Sequence, residues 1–400
     1  MNLFQVIRQK YINNVNLNDS KFIYGRNEQA RILDSMPEPK DNIERSYNQF
    51  RCQFLIHSMN PVFLQAGALL LLFYKRWATP QKTGLIEQKE LVCMLDGIGK
   101  SRIPQSLTKK YGSIGYCSDV EHYVLNREDY RWFIKNIRRR YPFEFFFQLK
   151  IFLRMTQYRY LIDAYRPEAI ATHSEYFCGS SAMTEFCHAR GIRHINLMHG
   201  DKVWGIRDSF FRFDECYVWH EHYKKMFLSL KAFPGQFIVE LPPEFHPGKI
   251  EVEEGDKADY CYYFQIESHE EIDRILACLA VLKNRGSRVR ARLHPRWSDA
   301  EYINRKAQDR NIEIEAPGID INYSILASGH AISKFSTVLL QSYFLGIPVI
   351  IDDCSDVHKY NKIKEYDYIM LSLEHTLLSQ ELGDDFGLIK EEDWHENRTA

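Results

Sequence analysis

The stretch Arg292-Leu293-His294-Pro295-Arg296 ends a run, residues 288–293, in which charged and apolar side chains alternate. Alternation with a period of two is typical of a β-strand, so a strand should end close to His294. Proline cannot donate a ladder hydrogen bond, and its ring pushes the preceding residue into an extended conformation. We therefore expect the His294 ring to be held in a defined direction just beyond a strand.

A second polar strand end follows at Ser333-Lys334-Phe335-Ser336-Thr337. A helix is predicted over residues 337–345, and a further strand over 349–351. Ser336 and Thr337 would stand where free backbone N–H groups and the helix dipole favour an anion. Taken singly, each residue favours an ordinary role, Ser336 as an N-cap and His294 as a satisfied buried histidine. Their order within one strand–helix alternation, 336 − 294 = 42 residues apart, favours a phosphate-binding half-site.

Strands and helices alternate on both sides of residue 250, which predicts parallel, doubly wound sheets. Helices are expected at 126–140, 143–165, 179–190, 221–231, 268–283 and 299–308, the helix after Ser268 opening with a capping box to Glu271. The predicted strands are residues 91–95, 113–117, 169–172, 194–198, 215–219, 260–265, 288–293, 312–315, 330–332 and 349–351. The fold class is α/β, with two Rossmann-like domains facing a central cleft. We place the domains at residues 1–245 and 246–400, joined by the proline-rich stretch 242–248. From Glu381 on we expect an acidic surface tail, with packing back on the N-terminal domain as the alternative.

Composition narrows the class of protein. The 400 residues are 45% hydrophobic and 14% aromatic with a net charge of −1, which allows a full core and does not indicate nucleic-acid binding. The nine cysteines are odd in number and form no C-x-x-C, as expected of thiols in a reducing cytosol. No signal peptide is recognised, and the apolar run 61–74 is short of the roughly 20 residues of a membrane span. We expect that run to be a buried helix and the protein to be cytoplasmic.

Polar residues follow most of the predicted strands, where open parallel sheets bind their ligands. These strand ends are Asp96-Gly97, His173-Ser174-Glu175, His199-Gly200, Gln265-Ile266-Glu267, His294-Pro295 and Ser333. Gly97, His199, Gly200 and Gln265 are therefore candidates for lining the cleft. A turn residue at Asp96, a helix cap at Glu175 and a loop histidine at His199 are the ordinary alternatives.

Metal and cofactor motifs are not found in the sequence. It has no Asp-x-Asp after a strand, no H-E-x-x-H, no Walker motif and no G-x-G-x-x-G. We expect no metal and no cofactor.

The His-Pro stretch and the stretch from Ser333 to Gln341 resemble the His-Pro and Ser-Ser/Thr motifs of bacterial sialyltransferases and polysialyltransferases. The resemblance implies a GT-B fold in which His294, Pro295, Ser336 and Thr337 hold the phosphate of a CMP-linked donor, with Ser333 and Gln341 nearby. That family takes its general base from an acidic–acidic–glycine motif, which Leu95-Asp96-Gly97 matches except at Leu95. Enzymes that polymerise teichoic-acid-like chains carry similar motifs.

The expected activity is a metal-independent, inverting glycosyl transfer. Such a reaction needs one carboxylate to take the acceptor proton and donors to stabilise the departing phosphate. Asp96 is the first candidate for the base and Glu175 the alternative. The expected donor carries sialic acid or a related ulosonic acid, and the acceptor is an oligosaccharide or lipid-linked glycan of a capsule, lipopolysaccharide or O-antigen.

Three alternatives stay open. They are a transferase for UDP- or GDP-sugars, a CDP-glycerol-type phosphotransferase, and a non-catalytic nucleotide-sugar-binding protein of a glycan-assembly complex. The basic and aromatic stretch 138–147 either rests on the inner face of an anionic membrane or is a helix end followed by a core segment.

Overall fold

The computed structural model describes residues 25–55, 61–77, 84–94, 100–117, 125–198, 200–386 and 389. The chain divides into two compact units. The N-terminal unit takes in the described residues of Met1–His199 together with Trp204–Pro242, and the C-terminal unit takes in Gly200–Val203 with the described residues of Pro243–Ala400. Each unit holds a six-stranded, all-parallel sheet, so the predicted α/β class with two Rossmann-like units, the composition of the GT-B fold, is confirmed.

The N-terminal sheet has the strand order β2-β1-β3-β4-β5-β6. Its strands are β1 (Leu91–Met94), β2 (Ile114–Cys117), β3 (Ala169–Thr172), β4 (Arg193–Leu197), β5 (Glu215–Val218) and β6 (Phe237–Val239). The helices of this unit are α1 (Arg26–Ser35), α2 (Asn42–Leu55), α3 (Pro61–Trp77), α4 (Gln105–Lys110), α5 (Arg127–Phe133), α6 (Phe145–Tyr165), α7 (Ser180–His188) and α8 (Glu221–Ser229).

Both faces of the N-terminal sheet are covered by apolar side chains. In β1, Val92 and Met94 join one buried cluster, whereas Leu91 and Cys93 join a second. Successive side chains of a strand point to opposite faces, so a fully apolar strand needs a core on each side. This is why β1 has a continuous apolar sequence without alternation.

The C-terminal sheet has the strand order β12-β11-β10-β7-β8-β9. Its strands are β7 (Ala258–Tyr263), β8 (Val289–Arg292), β9 (Glu313–Ile314), β10 (Ser328–Ser333), β11 (Val349–Ile351) and β12 (Thr376–Leu377). Its helices are α9 (His269–Asn284), α10 (Ala300–Asp309), α11 (Ile321–Leu326), α12 (Thr337–Phe344), α13 (Val357–Glu365) and α14 (Leu378–Leu382).

Most predicted elements are present. All ten predicted strands occur with bounds within two residues, and the capping box of Ser268 and Glu271 is formed at the start of α9. The sequence missed β6 and β12, which are edge strands of three and two residues, too short for a periodic pattern. The helix expected over 126–140 is α5 followed by a π-helical turn, Ile134–Arg138.

Two expectations about exposure were wrong. Helix α3 is not buried on all sides, since the side chains of Leu70 and Phe73 are 70% and 58% exposed. The described residues from Glu381 on are packed against the C-terminal unit and do not form a surface tail, because Leu382 is buried and Arg285 bonds to Asp385. Packing of the last residues on the N-terminal domain concerns residues 390–400, which lie outside the described part of the chain.

Two further observations concern the cysteines and the apolar helices. All nine cysteines are free thiols. No described helix has the length and apolar character needed to cross a membrane.

His194 in β4 is a buried, neutral histidine. Its Nδ1 lies 2.8 Å from Thr184 Oγ1 and its Nε2 lies 2.6 Å from the Tyr158 hydroxyl. The Thr184 hydroxyl donates to the Arg212 carbonyl at 2.6 Å, so it accepts the N–H of His194, and Tyr158 donates to the other ring nitrogen. Burial, helped by the nearby Arg154, lowers the pKa of His194 to about 3.

Replacing His194 should change how stability depends on pH. The unfolded chain binds a proton at this histidine below its ordinary pKa of 6.5, whereas the folded protein does so only near pH 3. The stability due to neutral His194 is therefore present above pH 6.5 and lost as the pH falls towards 3, by at most about 1.4 kcal/mol per pH unit. Urea unfolding between about pH 7 and about pH 4 covers most of the interval between these two pKa values. Over this range the free energy of unfolding should fall less steeply for His194→Gln than for the wild type. His246→Gln, at an exposed position, is the matched control and should keep the wild-type slope. Equal slopes for all three proteins would contradict this account.

Candidate functional site

Each sheet reverses its strand order once. In the C-terminal unit the chain runs from β7 outward through β8 to β9, then returns to the other side of β7 to form β10, β11 and β12. The reversal therefore lies between β7 and β10. In open parallel sheets ligands bind beyond the carboxyl ends of the strands at this point, because the loops there diverge.

The loops that carry the predicted donor-binding residues leave three adjacent strands. Gln265 follows β7, His294 follows β8, and Ser336 and Thr337 follow β10, in the order β10-β7-β8 across the sheet. The sequence placed each residue at a strand end, and the strand order makes the three loops neighbours.

The His-Pro loop is a tight turn. The backbone N–H groups of Trp297 and Ser298 both donate to the His294 carbonyl, at 3.4 and 3.3 Å. The Ser298 hydroxyl accepts the His294 N–H at 2.8 Å. Pro295 is exposed at the corner of the turn. The backbone of His294 is thus bonded on both sides, which limits the directions its ring can take.

The His294 ring offers a hydrogen-bond donor. Nδ1 accepts the backbone N–H of Arg296 at 3.1 Å, so in the neutral ring the proton resides on Nε2. Partial burial, together with the charge of Arg296, lowers the pKa of His294 below the usual histidine value. At neutral pH His294 is therefore an uncharged N–H donor, and Nε2 has no hydrogen-bond partner among the described residues.

Gln265 connects the three loops. Its side-chain N–H donates to Ser336 Oγ at 3.0 Å, and its carbonyl accepts the Ser298 hydroxyl at 3.3 Å. Its own backbone N–H donates to the Glu267 carboxylate at 2.8 and 3.0 Å. The turn that holds His294 and the start of α12 are consequently fixed relative to each other through one residue.

Ser336 is the N-cap of α12, as the sequence predicted. Its Oγ accepts the N–H of Val338 at 3.2 Å in addition to the Gln265 amide, so its own hydroxyl proton remains available to a ligand. The Thr337 hydroxyl accepts the N–H of Asp201 at 3.2 Å, and the Thr337 N–H has no hydrogen-bond partner among the described residues. Two hydroxyls and a backbone N–H at a helix start form an anion-binding arrangement.

Ser333 and Gln341 make internal contacts. The Ser333 hydroxyl donates to the Tyr263 carbonyl at 2.8 Å and is buried. The Gln341 amide, also buried, donates to Asn322 Oδ1 at 2.7 Å. Both side chains stabilise the elements around the site, so its ligand-facing groups are fewer than the motif suggested.

The sequence did not predict a buried cluster of charged side chains next to the site. The ammonium group of Lys334 lies 2.6 Å from Glu271 Oε1 and 3.6 Å from Glu267 Oε1. Burial raises the pKa of the Glu267 carboxyl, against the lowering effect of Lys334. Glu271 had been recognised only as a capping residue, and nothing in the sequence spacing indicated that two carboxylates would share one lysine.

The N-terminal unit also reverses its strand order, between β1 and β3. Glu175, which follows β3, is fully buried and accepts a hydrogen bond from Asn196 Nδ2 at 3.1 Å. Asp96, Gly97 and His199 lie outside the described residues. Gly200 belongs to the C-terminal unit, where a side chain at its position would meet only Thr337 Oγ1 at 3.9 Å.

Across the described ranges, His, Cys, Asp and Glu side chains form no group of three or more that could hold a metal ion.

No known family model matches the chain, and no curated protein matches it. The solved structures that are similar to it include two UDP-N-acetylglucosamine 2-epimerases and a wall teichoic acid polymerase. UDP-GlcNAc 2-epimerase from Neisseria meningitidis bound to UDP-GlcNAc is 14% identical with a TM-score of 0.42, over 65% of this chain and 82% of that one. UDP-N-acetylglucosamine 2-epimerase from Rickettsia bellii is 12% identical with a TM-score of 0.43, over 78% and 99%. The wall teichoic acid polymerase TagF is 12% identical with a TM-score of 0.43, over 87% and 88%. Similarity at this level does not identify an activity.

Removing the ammonium group at Lys334 should destabilise the C-terminal unit. Lys334→Met would leave Glu267 and Glu271 as adjacent carboxylates in a buried site, which costs about 3–5 kcal/mol of unfolding free energy. The double variant with Glu267→Gln should recover part of that loss, because one buried charge is removed. Urea unfolding measures both values.

Lys306→Met is the control for this experiment. Its ammonium group lies 3.5 Å from Asp273 and is 31% exposed, so the loss should stay below about 1 kcal/mol. A Lys334→Met protein as stable as this control would contradict the interpretation of the cluster.

Proposed function

We propose that this protein is a transferase that takes its group from a nucleotide-linked donor and adds it to a bacterial surface polymer. Within that class we favour a CMP-linked sialic acid or related ulosonic acid as the donor, on the His-Pro and Ser/Thr motifs. The proposed reaction is inverting and metal-independent.

The observation that carries the proposal is the group of donors at the strand reversal of the C-terminal unit. His294 Nε2–H, the hydroxyls of Ser336 and Thr337, and the Thr337 N–H are all available there. A phosphate presents only acceptor oxygens at neutral pH, so a set of donors at a helix start matches it. These groups would stabilise the charge that develops on the departing phosphate.

Exposed apolar side chains next to these donors support a nucleotide over a bare phosphate. Trp297 is 58% exposed, and its ring centroid lies 6.3 Å from that of His294. Ile266, beside Gln265, is 65% exposed. An aromatic ring face and an aliphatic side chain at the edge of a phosphate site suit the flat surface of a nucleobase.

Asp96 is our proposal for the general base. It comes two residues after the end of β1 in the sequence, and β1 is one of the two strands between which the N-terminal sheet reverses its order. The alternative, Glu175, is enclosed and bonded to Asn196, which favours a structural role. In the proposed step the base takes the acceptor hydroxyl proton and the acceptor oxygen bonds to the sugar carbon. The bond from that carbon to the phosphate oxygen breaks, and its electron pair leaves with the nucleotide.

A nucleotide panel tests the donor. Thermal unfolding with CMP, UDP, GDP, CDP-glycerol and inorganic phosphate should show the largest stabilisation with CMP. His294→Ala and Thr337→Val should each weaken CMP binding by about tenfold to a hundredfold, because each removes a hydrogen bond to a charged group. His246→Ala, at an exposed position of the same unit, should bind CMP as the wild type does. Stabilisation by UDP or GDP but not CMP would refute the donor assignment, and no stabilisation by any nucleotide would refute the proposal.

Donor turnover tests the base separately from binding. Asp96→Asn should lower transfer or donor hydrolysis by about 10²–10⁴-fold while CMP binding is kept, since the proton acceptor is lost and the donor site is untouched. Glu175→Gln is the matched carboxylate control and should retain turnover. Unchanged turnover in Asp96→Asn would place the base elsewhere. A wild-type protein that binds CMP without turning over any donor would instead be a non-catalytic binding protein.

A further inference from the structure

Helix α3 presents an apolar stripe that the N-terminal unit does not cover. Ala66, Leu70 and Phe73 are spaced by four and three residues, which places them on one helix face, and all three are exposed. Leu64 and Ala68, on another face, are fully buried. The helix is therefore packed on one side and leaves a second apolar side open.

This helix is fixed to a neighbouring turn through Gln65. The Gln65 amide donates to Glu144 Oε2 at 3.0 Å and its oxygen accepts the N–H of Phe146 at 2.9 Å. Glu144, at the end of the loop that follows the π-helical turn, and the start of α6 thus lie beside the first turns of α3.

The π-helical turn and the loop after it, residues 134–144, carry exposed cations and one exposed aromatic ring. Lys135, Arg138 and Arg139 are exposed and have no ion pair within the described ranges, whereas Arg140 is paired with Asp41 and Glu44. Phe143 is 81% exposed.

The loop that contains Phe143 is held in place by several contacts, so Phe143 is exposed in the packed conformation of this loop. Gln148 Nε2 donates to the carbonyls of Tyr141 and Pro142 at 2.8 and 3.2 Å. The Tyr141 ring stacks on Tyr47 with centroids 4.0 Å apart. Tyr47 and Tyr141 therefore hold the loop that presents Phe143 to solvent.

We propose that α3 and residues 134–144 together form a surface that binds an anionic lipid bilayer. Apolar side chains on one helix face, and unpaired cations in the segment that leads to Glu144, match the two parts of such a surface, the acyl region and the anionic headgroups. Because every residue of this surface lies in the N-terminal unit, the proposal is independent of the donor site.

Vesicle co-sedimentation of the full chain tests it. The protein should bind vesicles of equal parts phosphatidylglycerol and phosphatidylcholine, and bind phosphatidylcholine vesicles weakly. Leu70→Ser with Phe73→Ser should reduce binding to the anionic vesicles by at least about tenfold, since two inserted apolar side chains are lost. Arg138→Gln with Arg139→Gln should reduce it by about thirtyfold at low salt.

Two matched controls separate this surface from general effects. Leu85→Ser with Ile86→Ser removes two apolar side chains that are 50% and 61% exposed elsewhere in the unit. Lys109→Gln with Lys225→Gln removes the same charge from other exposed positions. Both should bind vesicles as the wild type does, and circular dichroism should show all variants folded.

Three outcomes would overturn the proposal. They are failure of the wild type to bind anionic vesicles, binding by the Leu70/Phe73 variant equal to that of its control, and a wild-type dimer that becomes monomeric in that variant without any vesicle binding. The last outcome, seen by analytical ultracentrifugation, would make the stripe an interface between two copies.

Discussion

The geometry of the candidate site depends on the hydrogen bonds that one residue, Gln265, makes with its side chain and its backbone. Its amide is bonded to Ser336, its carbonyl to Ser298 and its N–H to Glu267. Through these bonds the turn after β8 and the start of α12 are held at the end of β7. Because phosphate recognition requires donors at set positions, this connection keeps His294 and the Ser336–Thr337 pair in one arrangement before a ligand arrives.

The charge arrangement around these loops follows from burial. Lys334, the basic residue of the Ser/Thr motif, is buried and forms ion pairs with Glu267 and Glu271, so its ammonium group is directed to these carboxylates. The available groups at the candidate site include an uncharged imidazole, two hydroxyls and a helix N-terminus, with the exposed Arg296 next to the imidazole. Such a set would bind an anion through directed hydrogen bonds and a helix dipole.

The two units use buried polar groups differently. In the N-terminal unit, His194 is held neutral by Tyr158 and Thr184 within the sheet, and Glu175 is enclosed beside Asn196. In the C-terminal unit the polar groups at the strand reversal leave the His294 Nε2–H and the Ser336 and Thr337 hydroxyl protons without partners among the described residues. The apolar stripe of α3 adds an exposed surface to the N-terminal unit that its own core does not need.

The sequence by itself determined the elements of this protein. Strand alternation ending at His294, the capping box at Ser268 and the N-cap at Ser336 are local patterns, and local patterns depend on neighbouring residues only. His294, Ser336, Thr337 and Gln265, the residues of the candidate site, were therefore predictable as strand-end or helix-start groups. Asp96 was predictable in the same way, and it stays a prediction.

Tertiary structure alone decided which of these groups meet and which turn inward. The order β10-β7-β8 makes three distant loops neighbours, and only long-range strand pairing sets that order. Ser333, Lys334, Gln341 and Glu175 face internal partners, and α3 leaves an apolar face open, because the direction of a side chain has meaning only once its neighbours are in place. A sequence pattern gives the face of an element on which a residue lies, whereas the packing of other elements decides whether that face is covered.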